Sequence, residues 1–313
     1  MKLLKFFIMF LAPLSLLSAK EQGKPDLAKL KHPVKPMLWK IEGKGLEKPS
    51  YLFGTIHLAD PRLTTLHPLA QQAFDASKAL YTEVDLSPMN QMKLLPFMMR
   101  KDNKTLEELL GKELLNAYEA ELKAINPALD SKPFEKMNVW ALAFIPLQLQ
   151  AQLEGKEPLD VQLWKRGQKA GKKLMALEEN EQQLGQMNKL TLDEQKEMLK
   201  VTVQVYQKAR EAKVVPYKSL VDAYLLGDKK GIEREMGRTS YMGLEIRPEL
   251  LKKFNRLLLD ERNVVMAKTI QEALSKPDAG PCFFAAGTAH YIGKNSVNDL
   301  LVKAGYRVTP VVP

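Results

Sequence analysis

Residues 37–42, Met37-Leu38-Trp39-Lys40-Ile41-Glu42, alternate apolar and polar side chains, which predicts a half-buried strand. A turn rich in Gly, Lys and Pro separates it from Tyr51-Leu52-Phe53, so the two runs read as a hairpin. The second strand continues into Gly54-Thr55-Ile56-His57. Residues 66–78 then take helical spacing, and residues 79–85 return to an extended pattern ending in Glu83-Val84-Asp85. This is the grammar of a β-loop-α-β unit, whose right-handed crossover points the carboxyl ends of both strands at one edge of a sheet. His57 and Glu83 are expected at that edge.

The middle of the chain, about residues 100–275, reads as helical. Thr105-Leu106-Glu107-Glu108 and Thr191-Leu192-Asp193-Glu194 each match a capping box before apolar residues at three- and four-residue spacing. Residues 139–149 predict a buried helix, residues 174–178 a short strand, and residues 248–276 one long helix. The end repeats the beginning: Pro281-Cys282-Phe283-Phe284-Ala285-Ala286 is a buried strand running into Gly287-Thr288-Ala289-His290, followed by a helix over 297–304 and a strand over 306–312. No repeat of fixed period is present; what recurs is the strand-Gly-Thr-x-His unit. The fold class is α/β, with β-sheets flanked by helices.

Composition adds an address. Lys2 and Lys5 precede an apolar run over residues 6–17, and Ser18-Ala19 offers small residues for cleavage, so residues 1–19 read as a signal peptide. Lys5 and Pro13 interrupt a run already short of the roughly 20 apolar residues of a bilayer span, so no stable transmembrane anchor is expected. Residues 20–36 form a flexible lead-in and 37–313 a single domain. The lone Cys282 permits no internal disulfide, leaving stability to a packed core. The net charge of +10 falls by two when Lys2 and Lys5 leave; the remaining lysines are spread among glutamates without aromatic platforms, which excludes a dedicated nucleic-acid binder.

The candidate chemistry lies in the recurring unit. Glycine at a strand end allows a sharp turn or a close approach, and a histidine three residues on is presented as a metal ligand or proton carrier. Two of only four histidines, His57 and His290, occupy this position; His32 in the lead-in and His67 near a helix start read as structural. Glu83 supplies a carboxylate at the same edge. Two imidazoles and a carboxylate can complete a divalent metal site with a place for water, or the carboxylate can act as general base toward that water. Both roles stay open for Glu83.

Taken in order, these segments resemble the TraB/GumN (TraB/PrgY/GumN) family, to which the Tiki metalloproteases belong. The resemblance rests on Tyr51 through His57, the strand carrying Glu83, Leu177-Glu178 followed by Glu181-Gln182-Gln183-Leu184, the helix over 220–228 ending in Gly-Asp, Glu261-Arg262-Asn263 with Met266-Ala267, and Ala286-Gly287-Thr288-Ala289-His290. The second motif departs from the family pattern His-Leu-x-Gly-x-x-Gly: Tyr291 replaces the leucine and Ser296 the last glycine, while Gly293 is kept. The resemblance implies the fold shared with erythromycin esterase and ChaN, with the terminal motifs meeting in one cleft. It implies His57, Glu83, His290 and Arg262 as catalytic residues, the first three also as metal ligands. Gly54, Thr55, Gly287, Thr288, Glu178 and Asn263 are implied as support. Arg262 would stabilise an oxyanion, and Glu178 would orient a histidine or pair with Lys172 or Lys173.

Three classes of function follow: a metal-dependent hydrolase, above all a peptidase, using an ion such as Mn, Co or Zn; a metal-free esterase; or a non-catalytic protein that binds a peptide or cofactor. The partner is a peptide or ester substrate, and the location periplasmic or secreted. In a secreting host the full-length chain is expected to shorten by roughly 19 residues, measured by N-terminal sequencing; an intact Met1–Ala19 segment on membrane-bound protein would overturn the signal reading.

Overall fold

The computed structural model describes residues 25–236, 240–241, 244–276 and 280–313. The signal segment and residues 20–24 of the lead-in lie outside the described residues. From residue 25 the lead-in lies against the domain: Val34 donates its backbone N–H to Leu225 O at 2.7 Å, and Pro33 and Pro36 are buried.

Among the described residues six strands form one mixed sheet and two more pair antiparallel with each other. In chain order these are β1 (Leu38–Glu42), β2 (Ser50–Thr55), β3 (Ala79–Thr82), β4 (Lys173–Ala176), the separate pair β5 (Ser240–Tyr241) and β6 (Leu244–Glu245), then β7 (Cys282–Gly287) and β8 (Arg307–Pro310). The main sheet has the order β4-β3-β7-β2-β1-β8. β4, β3, β7 and β2 run parallel, whereas β1 pairs antiparallel with both β2 and β8. The strand from the far end of the chain is thus inserted between the two strands of the N-terminal β-loop-α-β unit. Every residue of β7 is buried, as befits a continuous apolar run in a parallel sheet covered on both faces.

Period-two alternation sorts the side chains onto those faces. On one face Trp39, Ile41, Leu52, Tyr81, Phe284 and Ala286 pack against the helices Lys218–Leu226, Glu261–Leu274 and Val297–Lys303. On the other, Leu38, Phe53, Leu80, Phe283 and Ala285 meet the helices Pro68–Ala76 and Leu159–Lys169. A separate helical core joins Leu106, Tyr118, Leu122, Leu142, Leu199 and Val203. Both predicted capping boxes form, at Thr105 with Glu108 and at Thr191 with Glu194.

Two helices are interrupted where an unbroken one is expected. The segment at 139–149 divides into Val139–Leu142 and Ile145–Leu153, because Pro146 belongs to the first turn of the second helix and cannot donate within a continuous one. The long C-terminal helix comprises Pro248–Asn255 and Glu261–Leu274, joined by a π turn at Arg256–Asp260 that ends two residues before Arg262. Among the described residues no helix is long and apolar enough to cross a membrane.

The parallel pairing of β2 with β7 sets Gly54 opposite Ala286 and Thr55 opposite Gly287, bringing the two Gly-Thr-x-His units side by side. Close packing there requires a glycine: a Cβ on Gly54 would fall 2.6 Å from Thr288 Oγ1, 3.0 Å from Met37 Cβ and 3.1 Å from Thr288 Cα. Gly54→Ala is expected to lower unfolding stability by about 1–3 kcal/mol through overpacking, measured by denaturant titration. An unchanged midpoint would show that the two motif backbones do not approach this closely.

Candidate active site

Three parallel strands deliver the site from their carboxyl ends. Glu83 follows β3, His57 lies two residues beyond β2, and His290 ends the short 3-10 turn Thr288–His290 beyond β7. Backbone pairing continues past β4, with Leu177 N donating to Thr82 O and Glu178 N to Glu83 O at 2.8 and 3.0 Å, so Glu83 and Glu178 stand side by side. The Glu83 side chain is buried and fully engaged. Its Oε2 accepts from Arg262 at 2.7 Å and from Gln183 at 3.2 Å, and its Oε1 accepts from the Gly287 backbone N–H at 2.5 Å.

Arg262 lies between the two glutamates. Its Nε donates to both Glu178 oxygens at 2.8 and 3.1 Å, an NH2 group reaches both Glu178 and Glu83, and NH1 donates to Leu258 O in the π turn. Each of these three side chains is no more than 7% exposed. Burying charges costs several kcal/mol per ion unless they are paired and hydrogen-bonded, and here all three are. Burial raises the Glu178 carboxyl above its ordinary value even against the pull of Arg262. At Glu83 burial acts in the same direction, but the combined charges of His57 and Arg262 prevail and hold the carboxyl well below the usual range.

The two histidines are anchored differently. His57 Nδ1 lies 2.8 Å from Asp160 Oδ2, and Asp160 Oδ1 accepts from the Thr55 hydroxyl at 2.5 Å. His57 Nε2 faces Glu83 Oε1 at 3.2 Å. The charge of Asp160, reinforced by Glu83, raises the His57 pKa well above its ordinary value despite desolvation. The ring is 58% exposed, so water tempers this pull. His290 is buried, with Nδ1 2.7 Å from Asn263 Oδ1. Asn263 Nδ2 donates to Asn295 O at 3.0 Å, which turns its oxygen toward the imidazole and places the His290 proton on Nδ1. The bare Nε2 lies 3.8 Å from Glu83 Oε1. Desolvation, only partly opposed by Glu83, pushes the His290 pKa down to about 4.

Among the described residues no group of three His, Cys, Asp or Glu side chains is arranged to hold a metal ion. The donor types gathered at Glu83, a carboxylate oxygen and two imidazole nitrogens, are nevertheless those a divalent cation takes. With His57 protonated the 3.2 Å contact to Glu83 is an ion pair; with His57 neutral and its proton toward Asp160, the bare nitrogen and the carboxylate oxygen are two lone-pair donors that a cation between them would satisfy. His290 presents a second bare nitrogen to the same oxygen. Each Nδ1 is occupied by an outer acceptor, as in metal-bound histidines generally. Gly287 leaves the space open: a Cβ there would meet His57 Nε2 at 3.0 Å and Glu83 Oε1 at 3.1 Å.

Four of the residues singled out in the sequence thus meet, His57, Glu83, His290 and Arg262, with Glu178 and Asn263 beside them. Two roles change. Arg262 is committed to two carboxylates and a carbonyl rather than aimed at a substrate oxygen, and Glu178 pairs with Arg262 rather than with a histidine, Lys172 or Lys173. Thr55 bonds to Asp160, and Thr288 donates to Thr55 O at 2.8 Å. The departures in the second motif serve packing: Tyr291 is buried and donates to Phe284 O, while Ser296 caps the helix Val297–Lys303. Gly293 is kept at φ 75°. His67 caps the helix Pro68–Ala76 and meets His32 edge-on at 5.1 Å, both outside the site. Asp160 is not marked by the sequence, and Gln183 enters there only as part of the family-like segment after Leu177-Glu178, with no role assigned. An acidic residue in a helix first turn reads as ordinary dipole compensation, and nothing local marks Asp160 as a histidine partner.

The fold is a mixed α/β sheet with two histidines, a glutamate and an arginine gathered at the carboxyl edge of its parallel strands in a largely buried polar centre. The chain belongs to the TraB/PrgY/gumN family, whose model matches residues 37–310. It is similar to metalloprotease TIKI1 of Xenopus tropicalis, at 25% identity over 96% of this chain and 66% of the relative. For metalloprotease TIKI1 of Danio rerio the values are 26%, 87% and 62%, and for human metalloprotease TIKI1 24%, 93% and 66%. The chain therefore spans slightly under two thirds of the length of these relatives. No solved structure matches it.

The depressed His290 pKa has a consequence for stability. The unfolded chain protonates this residue near pH 6.5, whereas the fold keeps it neutral down to about 4, so stability is lost as pH falls through that window. The loss should be on the order of 3 kcal/mol at its full extent. His57 acts elsewhere: its contribution is complete below about pH 6.5 and fades as pH rises through its raised folded value. Denaturant unfolding at pH 7, 5.5 and 4 should show a smaller acid loss in His290→Gln than in the parent chain; identical slopes would mean that His290 is not held neutral.

Proposed function

We propose that this chain is an exported, metal-dependent hydrolase of the peptidase class, acting on a peptide or ester substrate. The observation that carries the reading is the convergence of His57 Nε2 and His290 Nε2 on Glu83 Oε1, at 3.2 and 3.8 Å, beside the Cβ-free space at Gly287. The relatives named metalloproteases support the peptidase class. In this reading the fold is the one shared with erythromycin esterase and ChaN, and both Gly-Thr-x-His units face one cleft. The mature chain works in the periplasm or outside the cell, on a peptide or ester rather than a nucleic-acid partner.

His57, His290 and Glu83 would hold the divalent ion, with Mn, Co and Zn as candidates. When bound, it would polarise the scissile carbonyl and bring the pKa of a water toward neutrality. The chain's own residues prepare that chemistry. Arg262 and Gln183 fix one Glu83 oxygen and leave the other toward the imidazoles. Burial keeps His290 neutral, and Asn263 holds its proton on Nδ1 so that Nε2 is bare. The exposed ring of His57 is where substrate gains access.

The His57–Asp160 pair favours a second reading, a metal-free esterase. There His57 Nε2 takes the proton of the attacking water and returns it to the leaving group, while Asp160 stabilises the imidazolium. Metal content and turnover separate the two. The purified mature chain is expected to take up one ion, to lose it in His57→Ala and His290→Ala, and to lose at least about 100-fold of its peptide turnover in Glu83→Gln. Turnover that survives exhaustive chelation would overturn the metal-dependent reading in favour of the esterase. Full turnover by Glu83→Gln together with His290→Ala would reject the metal-dependent reading, and full turnover by His57→Ala would reject both.

A further inference from the structure

We infer that Asp160, supported by the Thr55 hydroxyl, is a positioning residue that presents His57 to the site through one nitrogen only. The geometry is a three-part chain. Thr55 Oγ1 donates to Asp160 Oδ1 at 2.5 Å, and Asp160 Oδ2 accepts from His57 Nδ1 at 2.8 Å, leaving Nε2 3.2 Å from Glu83 Oε1. The Asp160 side chain is 13% exposed and Glu83 is 7% exposed, so the imidazole spans from one sheltered carboxylate to another across an otherwise open ring.

Each part has a physical reason. A neutral imidazole has one proton for two carboxylates, and Asp160, at 2.8 Å against 3.2 Å for a Glu83 oxygen that already accepts from Gly287 N–H, draws it to Nδ1 and leaves the lone pair on Nε2. A carboxylate free to rotate would share its two oxygens indifferently; the Thr55 hydroxyl occupies one and turns the other toward His57. Thr55 lies opposite Gly287 in the parallel pair, so the central sheet holds this hydroxyl in place. Asp160 lies in the first turn of the helix Leu159–Lys169, where the helix dipole favours a negative side chain. The helix itself is tied down by Leu159 and Leu163 in the core and by Arg166 donating to Thr64 O. The threonine of the first motif thus acquires a task its counterpart lacks. Thr288 bonds to backbone, and His290 is held by an amide.

The inference deepens the hydrolase reading but is measured independently of it. The long-range proton–nitrogen spectrum of the histidine side chains reports which His57 nitrogen carries the proton, in the metal-free chain at a pH where His57 is neutral. The parent protein should show the proton on Nδ1. In Asp160→Asn the amide can donate to Nδ1, and the proton should move substantially to Nε2. Thr55→Val should shift the balance partly, and Thr55→Ser should restore it. Where peptide turnover is present, Asp160→Asn should lower kcat about 10- to 100-fold, as for loss of an outer histidine partner, with KM unchanged. If Asp160→Asn does not fold, Thr55→Val and Thr55→Ser carry the test alone. A His57 proton on Nε2 in the parent chain, or tautomers indifferent to these variants, would overturn the inference even in an active peptidase. A parent chain that cleaves no peptide but shows the tautomer shift would leave the inference standing and remove the peptidase reading.

Discussion

A carboxylate at the end of a buried strand is stable only if something replaces the water it has lost, and Glu83 sets this constraint for the whole site. Arg262 meets it from a helix 179 residues away and is itself held by Glu178, at the end of the adjoining strand. One guanidinium between two carboxylates leaves a negative balance, which His57 offsets from the open side. The π turn at Arg256–Asp260 interrupts the helical register just before Arg262 and offers Leu258 O to its remaining donor group. Removing any one partner would leave a buried charge unanswered, so the cluster acts as a unit.

Around that unit two similar motifs have become different devices. Parallel pairing of β2 and β7 puts both at one sheet edge, yet His290 lies in the interior and His57 reaches solvent. The buried imidazole has a neutral amide partner and stays neutral over the physiological range. The open one has a carboxylate partner and holds its proton more tightly. Both aim at the same oxygen of Glu83. Gly54 and Gly287 permit this at close range, the first by letting the motif backbones touch and the second by leaving room between His57 and Glu83.

Much of this was legible before any tertiary structure. Strand alternation, the capping residues Thr105 and Thr191, and the recurrence of Gly-Thr-x-His are local signals, because backbone periodicity and turn chemistry act over a few residues. They brought out His57, Glu83 and His290, and the family resemblance added Arg262, Glu178 and Asn263. Local pattern also misled: Pro146 and the π turn interrupt helices whose apolar spacing runs on without a break.

What the tertiary structure alone decided is which of these residues face one another. Insertion of β7 between β3 and β2 brings Gly287 against Glu83, and no spacing in the chain announces that strand order. Asp160 became a site residue because its helix packs over the sheet with its first turn at the carboxyl edge, 103 positions from the histidine it holds. Arg262 found two carboxylates and a backbone carbonyl where the family resemblance pointed to a substrate oxyanion. A side chain's chemical capacity is written in its own type and immediate neighbours. Its partner is chosen by burial, which forces each desolvated charge toward whatever complement the packed strands and helices bring within reach.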